Sequence, residues 1–524
     1  MKISNRVVCI LTAGVGSRMG PMSRVLNKSL FVFKKKAIIS NIIEKFPKKN
    51  TKFIIGLGYK GNQVKSFLKI AHPDIDFVFK TIKNYKGKGS GPGLSLYSCK
   101  KYLQKPFYFI SCDTYIRDKV PLNIKNNWIG TNKKRVKNNE NYCNVKVKKN
   151  EIIKVRDKVK TNSQDFYQFI GICYIKNYKD FWLGLLNKKL IKNELQISNG
   201  LKNLVLNKKT LSVHFNWLDL GNYDDYKKSI LKNEKYDFSK TNECIYFYKN
   251  KIIKFFSDKK IIKNRIKKIK NKKNIFPTIK ESSKEFYSYG FFKGNIFYKN
   301  LDIKIFKLFL NFSINYLWKI KKIYSDRRFV KICNNFYKEK TFKRYSIFQK
   351  KYPDLNENKK LNGKKYGSID KVLSKINWNI VNNGIQSYIH GDLQFDNVIY
   401  NKKLKKFKLI DWRQDFGKSL MVGDLYYDLA KIYGGMLINY SEIKKNNFYF
   451  YESKSDVFFR APKIKNINKF KKIFFDMIIS KGMEVKKVKI LTGLIYLNMA
   501  PLHQHPFDKL LFNYSKIILN EELN

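Results

Sequence analysis

Acidic residues are scarce in this chain. Asp and Glu total 40 against 108 Lys and Arg over 524 residues, which leaves a net charge of +68. Such an excess first suggests a nucleic-acid binder. Two features argue against that class. The lysines are spread along the whole chain, and arginine, whose planar fork suits phosphate recognition, is rare. Asn, Ile, Tyr and Phe are also used heavily, which is the pattern of an AT-rich coding sequence with a drifting surface. No nucleic-acid partner is therefore expected. A positive surface still attracts acidic small molecules, nucleoside triphosphates among them.

Cysteine pairs at metal spacing are missing as well. Cys9, Cys99, Cys112, Cys143, Cys173, Cys244 and Cys333 are widely spaced, odd in number and contain no Cys-x-x-Cys. That pattern speaks against a disulfide framework or a zinc site and for buried thiols in a reducing compartment. There is no long uncharged apolar run: the most hydrophobic later stretch, Ile303–Trp318, carries Lys304, Lys307, Asn311 and Asn315. Lys2 and Arg6 before the apolar run Val7–Ala13 imitate a short signal peptide. The run flows straight into Gly14-Val15-Gly16-Ser17-Arg18-Met19, with no small-x-small cleavage site. We expect a cytoplasmic protein without membrane insertion. Internal repeats are lacking too.

What the chain does have is apolar material. Hydrophobic residues make up 43% and aromatics 15%, enough for two or three cores at this length. Over the first 120 residues, strand patterns (Arg6–Leu11, Lys52–Gly56, Phe77–Phe79, Pro106–Ser111) alternate with helical spacing (Ala37–Phe46, Asn62–Ile70, Pro92–Leu103). Alternation of this kind predicts an α/β domain with a mostly parallel sheet, whose ligands bind at the carboxyl ends of strands. A polar stretch, Lys228–Asn242, reads as a linker between domains at 1–232 and 241–524. Beyond it, strands are expected at Cys244–Tyr248 and Ile252–Phe256, a solvated helix at Lys259–Lys273, and mainly helix from about residue 301 with a strand–turn–strand around His390–Asp411.

The first strand ends in Leu11-Thr12-Ala13-Gly14-Val15-Gly16-Ser17-Arg18-Met19-Gly20. Glycines there let backbone N–H groups approach a polyphosphate, which assigns Ala13, Gly14, Gly16 and Ser17 to nucleotide binding. Arg18 can fork onto phosphate oxygens, and Lys28 adds a second charge. Met19 excludes a dinucleotide fingerprint, and the Gly-Lys-Ser/Thr end of a P-loop is absent. Asp113, in Ser111-Cys112-Asp113-Thr114, closes a later strand and is placed to hold Mg²⁺.

The loop resembles that of the nucleotidyltransferases that make sugar nucleotides and CDP-choline. Their Gly-x-Gly-Ser/Thr-Arg-Met loop is followed by a Pro-Lys pair, which here reads Asn27-Lys28. Trp217-Leu218-Asp219-Leu220-Gly221 resembles their Trp-x-Asp-x-Gly element. The resemblance implies a Rossmann-like (GT-A-like) fold, catalytic roles for Arg18 and Lys28, and Asp219 as second metal ligand. It also implies base contacts from Gly89, Ser90 and Gly91, and an acceptor contact from Lys158. The reaction it implies is attack of a phosphomonoester on the α-phosphorus of CTP or UTP, with loss of pyrophosphate.

Near the other end stands Ile389-His390-Gly391-Asp392-Leu393-Gln394-Phe395-Asp396-Asn397, then Asp411 after the apolar strand Phe407–Ile410. An Asp followed five residues on by Asn matches the kinase catalytic loop. Asp392 would take a hydroxyl proton, and Asn397 and Asp411 would ligate metal. The His-Gly-Asp form, with Gly423-Asp424-Leu425-Tyr426-Tyr427-Asp428-Leu429-Ala430 downstream, resembles aminoglycoside phosphotransferases and choline kinases. This implies a protein-kinase-like α+β two-lobed domain, with Lys254 on the α/β-phosphates of ATP and a small-molecule alcohol as acceptor. Asp424 and Asp428 read as structural. No glycine-rich loop precedes Lys254, and residues 259–275 hold no Glu to pair with it; Glu281 and Glu285 are distant candidates.

The two activities form a sequence: phosphorylation of an alcohol, then coupling to a nucleotide, giving an NDP-activated group for a surface glycan or lipid. An aminoalcohol is the leading acceptor, and a sugar 1-phosphate the alternative. A nucleotidyltransferase with a regulatory pseudokinase is the competing arrangement.

Overall fold

Successive side chains of a strand point to opposite faces, and Arg6–Leu11 uses both. In the computed structural model, Val8 and Ile10 join one apolar cluster, and Val7, Cys9 and Leu11 join another. A strand buried on both faces belongs at the centre of a sheet covered by helices. The structure describes residues 6–134, 138–187, 189–230, 242–355 and 357–524.

The described residues fall into two compact units. One takes the chain up to residue 230, the segment from 242 to Ser257, and Glu281–Ser288. The other takes Asp258–Lys280 and Tyr289–Asn524.

The first unit is built on nine strands: β1 (Arg6–Leu11), β2 (Thr51–Leu57), β3 (Phe77–Thr81), β4 (Phe107–Ser111), β5 (Asn127–Asn132), β6 (Cys143–Lys148), β7 (Glu151–Asp157), β8 (Phe166–Ile175) and β9 (Thr210–Phe215). Their order is β3-β2-β1-β4-β8-β5-β9-β7-β6, with β8 also pairing β6. The strands β3, β2, β1 and β4 are parallel, as the alternation predicts. The expectation of a mostly parallel sheet fails beyond β4. There β8 runs antiparallel to β4, β5 and β6, and β7 antiparallel to β6 and β9; only β5 and β9 are parallel. No α-helix lies between β4 and β8 among the described residues, and without crossover helices the strands of that stretch pair mainly antiparallel, so the sheet is mixed.

Helices α1 (Gly61–Ala71) and α2 (Pro92–Ser98) connect the parallel strands. Expected helix Ala37–Phe46 is shorter, at Ile38–Ile43, and the expected run to Leu103 breaks into α2 and a 3-10 turn at Lys100–Tyr102. Helix α3 (Tyr178–Leu186) supplies Phe181, Trp182 and Leu185 to the second cluster, and α4 (Ser198–Asn207) supplies Leu201 and Leu204.

A smaller sheet follows, with strands β10 (Glu243–Tyr248), β11 (Lys251–Phe256), β12 (Ile279–Ser282) and β13 (Phe286–Gly290) in the order β10-β11-β13-β12. The two expected strands are β10 and β11, but they pack with the first unit, so the units divide the chain differently from a cut at the expected linker. Tyr246, Ile253, Phe255 and Phe286 join the first core cluster, and the Tyr246 hydroxyl donates to Leu30 O at 2.7 Å. Residues 231–241, on which most of that linker and the domain boundary fall, lie outside the described residues.

The second unit is mainly helical. Hairpin β14 (Val398–Asn401) and β15 (Lys406–Leu409) interrupts it where a strand–turn–strand is expected. Helices α5 (Lys340–Lys351) and α6 (Leu425–Leu437) flank the loop at His390 described below, and every residue of α6 is buried. The lysine-rich helix Lys259–Lys268 is not solvated throughout. Lys268 is buried, its ammonium donating to Arg413 O at 2.9 Å, and burial pushes its pKa down to about 7. No described helix is long and apolar enough to cross a membrane.

Candidate active sites

The turn after β1 needs a residue free of Cβ at Gly16. Its φ is +70°, and a Cβ there would stand 3.3 Å from the Lys28 side chain, which lies behind the loop. Ala13 is buried and its carbonyl accepts from Tyr59 N at 2.9 Å; Gly14 and Ser17 are exposed at the loop's outer edge.

Asn27 shows why Asn replaces the resembled Pro. Its side-chain amide donates to Thr12 O at 3.0 Å and to Tyr59 O at 2.6 Å. Its Oδ1 accepts from Ser29 N at 3.0 Å, and its own N–H, which proline lacks, donates to Gln63 Oε1 at 3.0 Å. Asn27 therefore ties the base of the glycine turn to the residue beside Lys28. Asn27→Pro should strand Gln63 and both carbonyls. The expected cost is about 1–3 kcal/mol for each buried group left unpaired, read as a lower urea midpoint for the first unit; an unchanged midpoint refutes the anchoring role.

Lys28 Nζ donates to Asp113 Oδ2 at 2.7 Å, and Ser111 Oγ to Asp113 Oδ1 at 2.5 Å. Burial alone would raise the Asp113 pKa, but Lys28 and Ser111 hold it down at about 2. Burial likewise works against the Lys28 ammonium, and Asp113 more than compensates. Asp219 reaches the same place because Trp217–Asp219 pairs antiparallel with Thr114–Ile116, which sets Asp219 opposite Thr114. Its Oδ1 accepts from Gly221 N at 2.7 Å and its Oδ2 from Tyr142 OH at 2.9 Å. Burial, and after it the charge of Asp113, raises the Asp219 pKa.

A Cβ on Gly221 would lie 2.8 Å from Asp219 Oδ1 and 3.2 Å from Asp113 Oδ2, so both carboxylates close on one small space. Two converging carboxylates of which one is destabilised by the other fit a hard divalent cation such as Mg²⁺. The described residues contain no group of three or more His, Cys, Asp or Glu side chains able to hold a metal. Phosphate oxygens of a bound triphosphate would have to complete the coordination. Arg18 is exposed, and its charge acts on Lys28, Tyr142 and Asp219.

The Gly89-Ser90-Gly91 turn and Lys158 meet at one hairpin, Leu190–Ile191 with Glu194–Leu195. Gly89 N donates to Asn193 O at 2.8 Å, Leu195 N to Ser90 O at 2.7 Å, and Lys158 Nζ to Glu194 Oε2 at 3.2 Å. Tyr142 and Glu194 carry no motif and are missed by sequence reading; only the fold brings them in.

In the second unit, Asp428 shapes the loop. Its two oxygens accept from His390 N and Gly391 N, each at 2.7 Å. Asp424 caps α6 and accepts from Tyr337 OH at 2.8 Å. The buried His390 ring bonds Ile410 O at 2.9 Å through Nε2 and accepts from Asp392 N at 3.2 Å through Nδ1. Burial lowers its pKa to about 3, so the ring is neutral.

Asn397 Nδ2 donates to Asp392 O at 2.8 Å and to Asp392 Oδ2 at 3.3 Å. The amide nitrogen being used inward, the Asn397 carbonyl oxygen is the atom left for a metal. Asp411 follows β15 with φ +60° and stands 3.7 Å from Arg265. Lys431 Nζ lies 2.9 Å from Asp392 Oδ1, a partner no motif announces. Burial opposes the Asp392 carboxylate, yet Lys431 holds its pKa well below the usual range. Lys254 is buried on β11 of the first unit, opposite Ile245. Glu281 Oε1 accepts from Lys251 at 2.5 Å, and Glu285 accepts from Gln63 at 3.0 Å.

Among solved structures, similarity is found to a UDP-glucose pyrophosphorylase complexed with UDP-glucose (17% identity, 43% of this chain, 96% of that one, TM-score 0.37). It is also found to the CTP:phosphocholine cytidylyltransferase of Streptococcus pneumoniae (19% identity, 43% and 97%, TM-score 0.34). A curated relative, bifunctional protein GlmU of Methanocaldococcus jannaschii, is 27% identical over 239 residues, covering 45% of this chain and 55% of its own. The chain spans about half the length of the curated relatives it matches. Residues 7–236 match the family model for nucleotidyl transferases, and this part of the chain is a nucleotidyltransferase domain.

Proposed function

We propose that the chain is a bifunctional enzyme. Its C-terminal part phosphorylates a small-molecule alcohol with ATP, and its N-terminal domain couples the phosphomonoester to CTP, with UTP as the alternative, releasing pyrophosphate. The product is an activated group suited to surface glycan or lipid synthesis. The reading is carried by the convergence of Asp113, Asp219 and Lys28 behind the glycine turn of a nucleotidyltransferase domain, in one chain with the Asp392–Asn397 loop.

In the N-terminal domain a monoester oxygen attacks the α-phosphorus while the bond to pyrophosphate breaks, so no covalent enzyme intermediate is needed. Lys28 is fixed by Asp113, and Arg18 stands at the exposed edge of the loop; both would oppose charge that spreads over the phosphates. Asp113 and Asp219 would hold Mg²⁺, which supplies further neutralisation of that charge. Lys158, steadied by Glu194 beside the Gly89–Gly91 turn, is the proposed acceptor contact. Asn397 and Asp411 would hold Mg²⁺ for ATP in the second unit, with Asp392 as base; Lys254, expected from sequence on the ATP phosphates, belongs to the first unit.

The test is a screen for pyrophosphate release over four nucleoside triphosphates and a panel of phosphomonoesters. Release with a pyrimidine nucleotide supports the reading, and no release anywhere refutes it. Arg18→Ala is expected to slow that release by about 100-fold or more, the scale of losing one transition-state charge contact. A variant within about threefold of the parent would reduce Arg18 to a turn residue. One observation favours a regulatory second unit instead: Lys431 already neutralises Asp392. Asp392→Asn, assayed on the free and the pre-phosphorylated alcohol, separates the two.

A further inference from the structure

The carboxylate proposed as base stands among cations that outnumber it. Besides Lys431, which pairs with Asp392 at 2.9 Å, three side chains belong to the group. Arg413 leaves the chain two residues after Asp411 and packs on the loop itself: a Cβ on Gly391, the residue before Asp392, would lie 2.7 Å from Arg413 Cβ. Lys340 Nζ lies 4.1 Å from the Phe336 ring centroid, and the Arg413 guanidinium carbon lies 4.9 Å from the same centroid. Arg344 sits one helical turn beyond Lys340 on α5, on the same side of the helix.

Among the described residues, none of Lys340, Arg344 and Arg413 has a carboxylate within 4.0 Å. Arg413 Nε is buried without any hydrogen-bond partner. Burial, and after it the charges of Arg413, Lys431 and Arg344, depresses the Lys340 ammonium well below its ordinary value, with only Asp392 opposing. Most lysines of this chain are exposed or half-buried at its surface. Cations gathered at a half-buried site with one carboxylate between them are costly unless a further anion arrives to pair with them.

We propose that the alcohol phosphorylated at Asp392 carries its own anionic group, a carboxylate or a phosphate, bound by Arg413, Lys340 and Arg344. The proposal rests on the kinase reading above and replaces the aminoalcohol expected from sequence. A quaternary or primary ammonium would be repelled by the same residues. Arg413 and Lys340 stand beside the base, which the hydroxyl must approach, whereas Asn397 and Asp411 are the groups proposed for metal-bound ATP. In the transfer the γ-phosphorus forms a bond to the hydroxyl oxygen and loses its bond to the β-phosphate bridging oxygen. The hydroxyl proton passes to Asp392, and ADP and a phosphomonoester leave.

The test uses the full-length protein with two readouts. ADP formation is measured with ATP, Mg²⁺ and matched alcohols: glycerate and glycerol 3-phosphate against glycerol and choline. Calorimetric binding of glycerate and glycerol 3-phosphate is measured without ATP, in the parent, Arg413→Gln, Lys340→Met and Arg413→Lys. The expected result is kcat/KM about 100-fold higher for the anionic alcohols. KM and Kd should rise about tenfold or more in the first two variants, kcat should change little, and Arg413→Lys should recover part of the loss. Circular dichroism confirms that each variant is folded. Phosphorylation of glycerol or choline in preference overturns the anion site and leaves the kinase reading standing. Anion binding that the variants abolish, with no alcohol phosphorylated, upholds the anion site and defeats the kinase reading. Neither binding nor transfer overturns both.

Discussion

Asp219→Ala is expected to reduce pyrophosphate release by about 1000-fold or more while ATP-dependent phosphorylation of the alcohol continues. The two carboxylates at this site are not equivalent. Asp113 is the counter-charge of Lys28 at 2.7 Å and is held at low pKa, whereas Asp219 is raised by burial and by Asp113. Alanine at Asp219 therefore removes half of a strained carboxylate pair, and its losses to the fold are the acceptors for Tyr142 OH and Gly221 N. Asp113→Ala should abolish release equally but also leave the Lys28 ammonium unpaired in a half-buried site, a defect of about 3–5 kcal/mol when such a charge is fully enclosed. The pair of variants thus separates activity from stability: both lose pyrophosphate release, and Asp113→Ala alone has a clearly lower urea midpoint. Continued phosphorylation follows from the placement of Asp392, Asn397 and Asp411 in the other compact unit. Equal loss of both activities in folded Asp219→Ala would contradict two independent sites.

The parts of this molecule legible in sequence are those whose chemistry is local. The glycine turn, Ser111-Cys112-Asp113 and Trp217-Leu218-Asp219 each stand at a strand end, and their order along the chain already implied one site. The antiparallel half of the sheet was not legible. Strand β5 reads Asn127-Trp128-Ile129-Gly130-Thr131-Asn132 and is buried throughout, with no apolar alternation to mark it. Its polar side chains are satisfied by distant partners: Asn127 Nδ2 donates to Asn177 Oδ1 at 3.0 Å, and Thr131 shares a 2.8 Å hydrogen bond with Ser212. Hydropathy cannot announce a strand whose polar groups are paired across the fold. The grouping of β10 and β11 was hidden for a related reason. Their apolar residues are plain in sequence, but nothing local says that Phe67, rather than a neighbour in the following domain, is the ring that Tyr246 meets at 4.9 Å. Tyr142, Glu194 and Lys431 are the same case at side-chain scale, since each acts on a motif residue far from it in sequence.

Asp392→Asn should stop product formation from the free alcohol and preserve it from the pre-phosphorylated alcohol. Asp392 is an ionised acceptor whose position is set from three sides: Lys431 at 2.9 Å, Gln394 Nε2 at 3.1 Å, and Asn397, which also holds its backbone carbonyl at 2.8 Å. An asparagine fits the same space. It keeps one side-chain oxygen for Lys431 and Gln394, and the Asn397 contact to the backbone carbonyl is untouched. What it cannot do is accept the hydroxyl proton, and loss of a general base slows transfer by about 100- to 10,000-fold. The Asp428 contacts to His390 and Gly391 do not involve Asp392, so the loop should keep its shape. The N-terminal domain needs no hydroxyl activation, because a phosphate monoester is already an anionic nucleophile at neutral pH. Supplying the monoester with CTP or UTP therefore bypasses the lesion, and pyrophosphate release should match the parent. Conversion of the free alcohol at the parental rate by Asp392→Asn would remove the base from the proposal. Lys431 would then be the mark of a silent site, with the second unit regulating the domain to which it is joined.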